Sequence, residues 1–394
     1  MSIVSASGVE GARPDDARRH NRTAVLRRLH VAGPCTRATL AAELGLNRST
    51  IKAVVDGLAA SGLVAERLPA RRSGAGRPSL LVLPRPLAAV VASVDIRTDA
   101  VAVALVGLGG ETLARLGWRL RRGPGTDTGT PPEVLTRIVE SARLLAEEAG
   151  VVPAAVGVSV PGVVRRADGL LRVAPNLGWS EVALGERLTK ALDTPVHVAN
   201  DADLGALAEH TRGVARGVGD VVFVAGDVGV GGGVISGGVA QRGAAEMGHM
   251  VVRPDGRPCH CGERGCWETE IGAAALRRAL DLAPTAGRGE LVAELRALAA
   301  DPAAARTRLA DLTDWLGLGL VNVVNLFAPE LIVLGDLLAE LPGAVLEDLD
   351  ARVGEHSLVG RALGARVVRS GLTPRDVQIV GAAELAFEPI LSEV

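Results

Sequence analysis

Glu246-Met247-Gly248-His249, followed by Cys259-His260-Cys261-Gly262-Glu263-Arg264-Gly265-Cys266-Trp267-Glu268, is the stretch around which this 394-residue chain is best read. Three of the four cysteines fall within eight residues there, which suits a metal site better than a disulfide frame. His249, Cys259, Cys261 and Cys266 supply one imidazole and three thiolates. That is the donor set of a closed, tetrahedral structural zinc site, one ion per chain. Gly256, Pro258, Gly262 and Gly265 let the backbone fold tightly around an ion. His260 competes as a donor, but it lies between two ligands and is expected to point away. Four protein ligands leave no open position for activating water. Free buried cysteines beside a surface histidine are the alternative.

Polar groups extend outward from this stretch. Glu246 and His249 flank Met247-Gly248, and Glu268 follows Cys266-Trp267. Asn176 lies in Pro175-Asn176-Leu177-Gly178-Trp179. Asn200-Asp201 follows an apolar strand and precedes a helix. Such short, planar groups can hydrogen-bond several vicinal hydroxyls at once. Each alone is as readily a cap or turn former, and Asp201 could simply cap its helix. His249 is placed to serve both sites, one ring nitrogen on the metal and the other toward a ligand.

The N-terminal end reads differently. Residues 1–85 carry 14 Lys+Arg against 6 Asp+Glu, a balance of +8, and the remainder carries −10. A basic end on an acidic body points to two kinds of partner. After a leader over 1–16, helical spacing over 17–31 puts Val25, Leu26 and Leu29 on one face. Thr36 caps a short helix, Arg37 to Leu44, which Gly45 breaks. Asn47 caps a third, Arg48 to about Ala60, with Ile51, Val54, Val55 and Leu58 inward. This order is a helix-turn-helix. Arg48, Ser49, Thr50 and Lys52 open the third helix, where base edges of a major groove are read, and Arg37 and Asn47 join them as candidate DNA contacts. Two short strands around Val64 and Val82 bracket an Arg- and Gly-rich wing carrying Arg71, Arg72 and Arg77. A Gly-flanked Arg in extended chain, as at Gly76-Arg77-Pro78, suits a narrow minor groove. A solvated basic bundle is the plainer alternative.

The composition, 48% hydrophobic and 22% charged, is that of a globular chain. Only 2% of residues are aromatic, which argues against single-strand binding on stacking platforms. The first 30 residues lack the apolar run of a secretory signal, and no uninterrupted apolar run reaches the ~18 residues of a membrane span. A cytoplasmic location and no membrane partner are expected. Pro84 and Pro86 mark the exit from the basic domain, 17–84. From Leu87 apolar strands alternate with helices, an α/β pattern of about 300 residues, large enough for two lobes. These are expected over 87–202 and 203–377, with a C-terminal helix over about 378–394 returning to the first.

Taken together, these residues resemble the ROK family of sugar-responsive repressors and sugar kinases. Gly229-Val230-Gly231-Gly232-Gly233-Val234, the Glu246–His249 stretch and the Cys259–Glu268 stretch follow the family's central pattern in order and spacing. Pro161-Gly162, Asn176-Leu177-Gly178-Trp179, Asn200-Asp201 and Val380-Gly381-Ala382-Ala383 also fit, so the likeness spans nearly the whole chain. It implies a two-lobed actin-like/hexokinase-like ATPase fold with a zinc-binding insertion behind a winged helix-turn-helix. It implies sugar contacts at Asn176, Asn200, Asp201, Glu246, His249 and Glu268, and zinc at His249, Cys259, Cys261 and Cys266. Family repressors often carry Gly-Arg-Pro in the wing and are typically dimers or tetramers.

Both branches of the family must explain Asp201. In its kinases the matching Asp is the base that takes the sugar hydroxyl proton. Those kinases have Asp-x-Gly-Gly-Thr after the first strand; here the stretch is Asp95-Ile96-Arg97-Thr98-Asp99. Their second phosphate turn, Gly-Thr-Gly-x-Gly, is here Asp227-Val228-Gly229-Val230-Gly231, and Gly335-Asp336 replaces a Gly-Gly pair. Phosphate-binding turns need free N–H groups approached closely, and these changes add side chains and negative charge. The expected reading is a repressor without kinase activity, in which Asp201 is a vestigial base. It would bind a pseudo-palindromic operator as a homodimer or homotetramer and respond to a sugar or sugar derivative. A sugar kinase with an accessory DNA-binding domain is the alternative.

Overall fold

The computed structural model describes residues 14–68, 79–120, 129–241 and 246–393. The expected leader up to residue 13, and Arg71, Arg72 and Arg77 of the wing, lie outside these. The chain divides into two compact units. One takes the N-terminal residues to Val90 together with Gly107–Glu111 and Phe387–Val394; the other takes Val91–Val106 and Thr112–Ala386.

The first unit holds three helices, Pro14–Ala32, Arg37–Leu44 and Arg48–Ala60. The first begins three residues earlier than the sequence suggests, because proline is well tolerated in a helix's first turn. Thr36 accepts a hydrogen bond from Thr39 N at 3.1 Å, and Asn47 Oδ1 accepts one from Thr50 N at 2.8 Å, so both expected caps form. Gly45 ends the second helix at φ +64°, a left-handed conformation that glycine adopts without strain. Val25, Leu26, Leu29, Leu40, Ile51, Val55 and Leu58 are each at most 1% exposed, so the predicted inward faces meet in one core. Val64–Arg67 pairs antiparallel with Leu81–Pro84. Cys35–Thr36 adds a third strand on the other side of Leu81–Pro84, too short to show a periodicity in the sequence. His30 is fully buried; its Nδ1 accepts from Gly109 N at 2.9 Å and its ring lies 4.5 Å from that of Phe387.

The second unit contains two five-stranded sheets of one plan. In the first, the order is Val196–Asn200, Val156–Val160, Val90–Ile96, Ala100–Gly107, Thr112–Arg119. In the second it is Arg366–Arg369, Leu331–Asp336, Val221–Gly226, Val230–Ser236, Val239–Gln241. In each, the earliest strand is central, the next two run outward on one side, and two parallel strands lie on its other side. The central strands are buried on both faces, which is why they read as continuous apolar runs. Helix Val377–Ser392 returns to the first sheet: Ser93 Oγ donates to Ile379 O at 2.6 Å. Helix Asp201–Arg212 lies against Val221–Gly226 and Val230–Ser236.

The glycine run before Val234 has a packing cause. A Cβ on Gly232 would lie 2.3 Å from Met247 Sδ, and one on Gly233 would lie 2.2 Å from Ala202 O. Bare backbone at these positions lets the Glu246–His249 turn and the Asp201 helix press against opposite faces of one strand.

Candidate functional site

Asn176, Asn200, Asp201, Glu246, His249 and Glu268 all line one cleft of the second unit, with a cavity of about 120 Å³. They arrive on several elements, with Glu246 and His249 on one turn. Asn176 sits in the 3₁₀ turn Pro175–Leu177, ended by Gly178 at φ +67°. Asn200 closes a parallel strand, and Asp201 opens the following helix. His249 ends the turn Met247–His249, and Glu268 lies in the short helix Trp267–Ile271. Clefts at the carboxyl ends of parallel strands are where open α/β sheets bind ligands.

The cap of the Asp201 helix is Asn200. Its Oδ1 accepts from Ala202 N at 2.8 Å and Asp203 N at 3.3 Å, while its Nδ2 donates to Gly162 O at 3.0 Å. The Asp201 carboxylate is thereby spared the capping role and accepts one bond, from Ala202 N at 2.9 Å. Burial, followed by the nearby charge of Asp336, pushes the Asp201 carboxyl up to about 7. Asp336 is itself raised to about 6, by burial and then by Asp227, against the pull of Arg288 and Arg97. It holds φ +53°, a conformation that favours glycine.

Ion pairs border the same cleft. Arg97 Nε donates to Asp95 Oδ2 at 2.6 Å, and its Nη2 donates to Gln378 Oε1 at 3.0 Å and to Pro374 O. Asp95 is 2% exposed and its Oδ1 has no partner. Arg288 Nη1 lies 3.2 Å from Asp227 Oδ2, and Nη2 lies 4.0 Å from Asp336 Oδ1. Arg97, Thr98 and Asp227 thus line the cleft, as the sequence suggests. Asp99 does not: it is exposed and faces Arg119 at 3.5 Å. Sequence reasoning missed Gln378 and Arg288, whose positions carry no local signal.

The ligand atoms of His249, Cys259, Cys261 and Cys266 lie within 4.8 Å of one another. Cys259 Sγ is 3.6 Å from His249 Nδ1, and Cys261 Sγ is 3.6 Å from Cys266 Sγ. Cys259 and Cys266 are buried. This convergence of a soft donor set fits one divalent ion. His260 does not point away. Its Nδ1 is 3.0 Å from Glu268 Oε1, and its ring meets that of His249 edge-on at 5.3 Å. The segment turns rather than alternating as a strand: Gly262 holds φ +101°, and Pro258 bridges to Arg264. Glu268 Oε1 also accepts from Cys259 Sγ at 2.9 Å, so this carboxylate joins the cysteine cluster to the cleft.

In the first unit, Arg48 and Ser49 are exposed at the start of the third helix, and Thr50 is half-buried. Lys52 is exposed and 2.7 Å from Asp56. Arg37 is engaged internally: Nε is 2.7 Å from Glu66 Oε1, and Nη2 is 2.7 Å from Asp56 Oδ1. No helix among the described residues is long and apolar enough to cross a membrane.

A family model described as ROK family matches residues 91–388. The xylose repressor of Caldicellulosiruptor bescii is 25% identical over 373 residues, 91% of this chain and 92% of that protein. The glucokinase of Streptomyces coelicolor is 31% identical over 282 residues, 66% of this chain and 89% of its own length. Among solved structures, a ROK family transcriptional regulator, a homologue of the E. coli MLC protein, matches 96% of this chain and 97% of its own. Its TM-score is 0.73 at 24% identity, which speaks to the fold.

Proposed function

Because the chain belongs to the ROK family, we propose that it is a sugar-responsive transcriptional repressor whose operator affinity changes when a sugar or sugar derivative occupies the cleft. Matches to a xylose repressor and to a regulator fold, each over more than 90% of this chain, support this reading. The observation that carries it is the chemistry of the cleft lining. Six hydroxyl-binding candidates line the cleft, while Arg97, paired to Asp95 on the same lining, stands where the family's kinases keep glycine.

The sugar's hydroxyls would be held by Asn176, Asn200, Asp201, Glu246, His249 and Glu268. Asp201 and Glu246 accept hydrogen bonds, and the amide nitrogens of Asn176 and Asn200 donate them. Zinc would be held by His249, Cys259, Cys261 and Cys266. When bound it supplies a structural cross-link that orients His249 and the turn bearing it. Ligand binding favours one arrangement of the cleft over another. A repressor reports that difference as a change in DNA affinity, here a release of DNA. Arg48, Ser49, Thr50 and Lys52 would read the operator, with Asn47 and Arg37 supporting their helix and Arg71, Arg72 and Arg77 of the wing adding contacts. A pseudo-palindromic operator, a dimer or tetramer, and a cytoplasmic location complete the proposal.

The test is a selection from a randomised DNA duplex pool, followed by anisotropy titration of the selected duplex with and without sugars. An affinity unchanged by hexoses, pentoses, amino sugars and sugar phosphates would remove the sensor role. The alternative, a sugar kinase, draws on the raised Asp201 carboxyl and on the Streptomyces coelicolor glucokinase match. Sugar-dependent ADP release that Asp201→Ala abolishes would establish it.

A further inference from the structure

The cleft adjoins a second, larger cavity. At about 810 Å³ it falls within the ~300–1,000 Å³ typical of sites that enclose a drug-sized ligand, whereas the cleft itself, at about 120 Å³, falls below that range. Gly162, Asn200 and Glu246 line both spaces. A ligand held by Asn200 in the cleft therefore has its next unit at the mouth of the larger cavity.

Most of the wall of this cavity comes from three neighbouring elements: the first strand and turn of the hairpin Val163–Arg165/Leu170–Ala174, the helix Leu184–Leu192, and the strand Val196–Asn200, with Asp203, Gly232, Glu246 and Leu385 completing it. The hairpin turn is pressed onto the strand. Gly169 holds φ +69°, and a Cβ there would lie 2.8 Å from a Val198 methyl. Val198 and Leu385 are buried apolar groups on the lining, while Thr189 and Lys190 are exposed on it. A pyranose has the matching character, with apolar ring faces and hydroxyls around its edge. The charged groups on the lining are Arg166 and Lys190 against Asp168, Glu186, Asp203 and Glu246. Arg165 pairs with Asp168, so the lining is near neutral with a slight acidic excess, which favours a neutral polyol over a phosphate or carboxylate.

We propose that the effector is a neutral di- or oligosaccharide, with one ring in the cleft and the next in this adjoining cavity. The inference rests on the sugar-binding reading of the cleft and names the ligand class for it.

Calorimetric titration of the full chain tests it, with glucose, xylose, their β-1,4-, β-1,3- and α-1,4-linked dimers, and glucose 6-phosphate as probes. At least one neutral dimer is expected to bind tenfold or more tightly than its monomer. Thr189→Trp, which adds bulk on an exposed helix position of the cavity wall, removes that advantage and leaves monomer affinity within twofold. Ala167→Trp, in the exposed hairpin turn, does the same by an independent route should the first variant fold poorly. Dimers no tighter than monomers, an advantage that survives both variants, or glucose 6-phosphate as the tightest ligand overturns the proposal. Monomer binding without any gain for dimers removes this inference alone. No binding by any probe removes the sugar-binding reading with it.

Discussion

Arg97 Nε donates to Asp95 Oδ2 at 2.6 Å, and the same guanidinium reaches Gln378 Oε1 at 3.0 Å, 281 residues away in sequence. One side chain thus neutralises a buried carboxylate of the first sheet and ties it to the C-terminal helix. Removing one partner of a buried ion pair leaves the other charge uncompensated, at a cost of about 3–5 kcal/mol when burial is complete.

Arg97 retains a quarter of its exposure, so the smaller figure of roughly 2 kcal/mol is expected for Arg97→Ala. Thermal unfolding should show a midpoint several degrees lower. The double variant Asp95→Asn/Arg97→Ala should recover part of that loss, because it removes the stranded charge. An unchanged midpoint in Arg97→Ala would show that the pair contributes nothing.

The Asp201 carboxyl, raised to about 7 by burial and by Asp336, makes stability depend on pH. The folded protein holds a proton that the unfolded chain has released, over the window between the ordinary carboxylate range and about 7. This group's contribution to stability is therefore largest at the acidic end and falls as the pH rises through that window. Asp336, raised to about 6, acts with the same sign over a narrower range. Denaturant titrations at pH 5 to 8 should show a shallower decline in Asp201→Asn than in the parent. Identical slopes would contradict the placement of Asp201.

Metal analysis of the purified chain should return about one zinc per chain, since four donors close a tetrahedral shell. Cys259→Ser should lose the metal and lower the unfolding midpoint, because binding energy at a structural site is folding energy. Full zinc content in that variant would transfer its role to another donor, with His260 the nearest candidate by geometry.

Arg48 and Arg37 should separate recognition from stability. Arg48 is exposed at the start of the third helix, so Arg48→Ala should weaken operator binding roughly tenfold or more with the midpoint unchanged. Arg37 is held by Glu66 and Asp56, so Arg37→Ala should lower the midpoint of the N-terminal unit and weaken DNA binding as a consequence. Equal effects of the two on the midpoint would refute the distinction.

The sequence reveals those features whose causes lie within a few residues. Caps at Thr36 and Asn47, the inward stripes of Val25, Leu26, Leu29, Ile51 and Val55, and the donor spacing from His249 to Cys266 depend on local backbone geometry. The caps and stripes form as order and spacing suggest, and the four donor atoms come within 4.8 Å of one another. His260 is the informative exception. An alternating strand would send it away from the cysteines, but the turn at Gly262 brings it to Glu268.

The common plan of the two sheets, the Arg97 bridge to Gln378, the pairing of Arg288 with Asp227, and the cavity beside Asn200 belong to the tertiary structure. None leaves a periodic trace, because strands of different sequence build the same topology whenever each is apolar enough to be buried. Side-chain partners hundreds of residues apart are chosen by how elements pack, and spacing along the chain carries no record of that choice. Composition and order determined which chemical groups this protein possesses; packing decided which of them face one another.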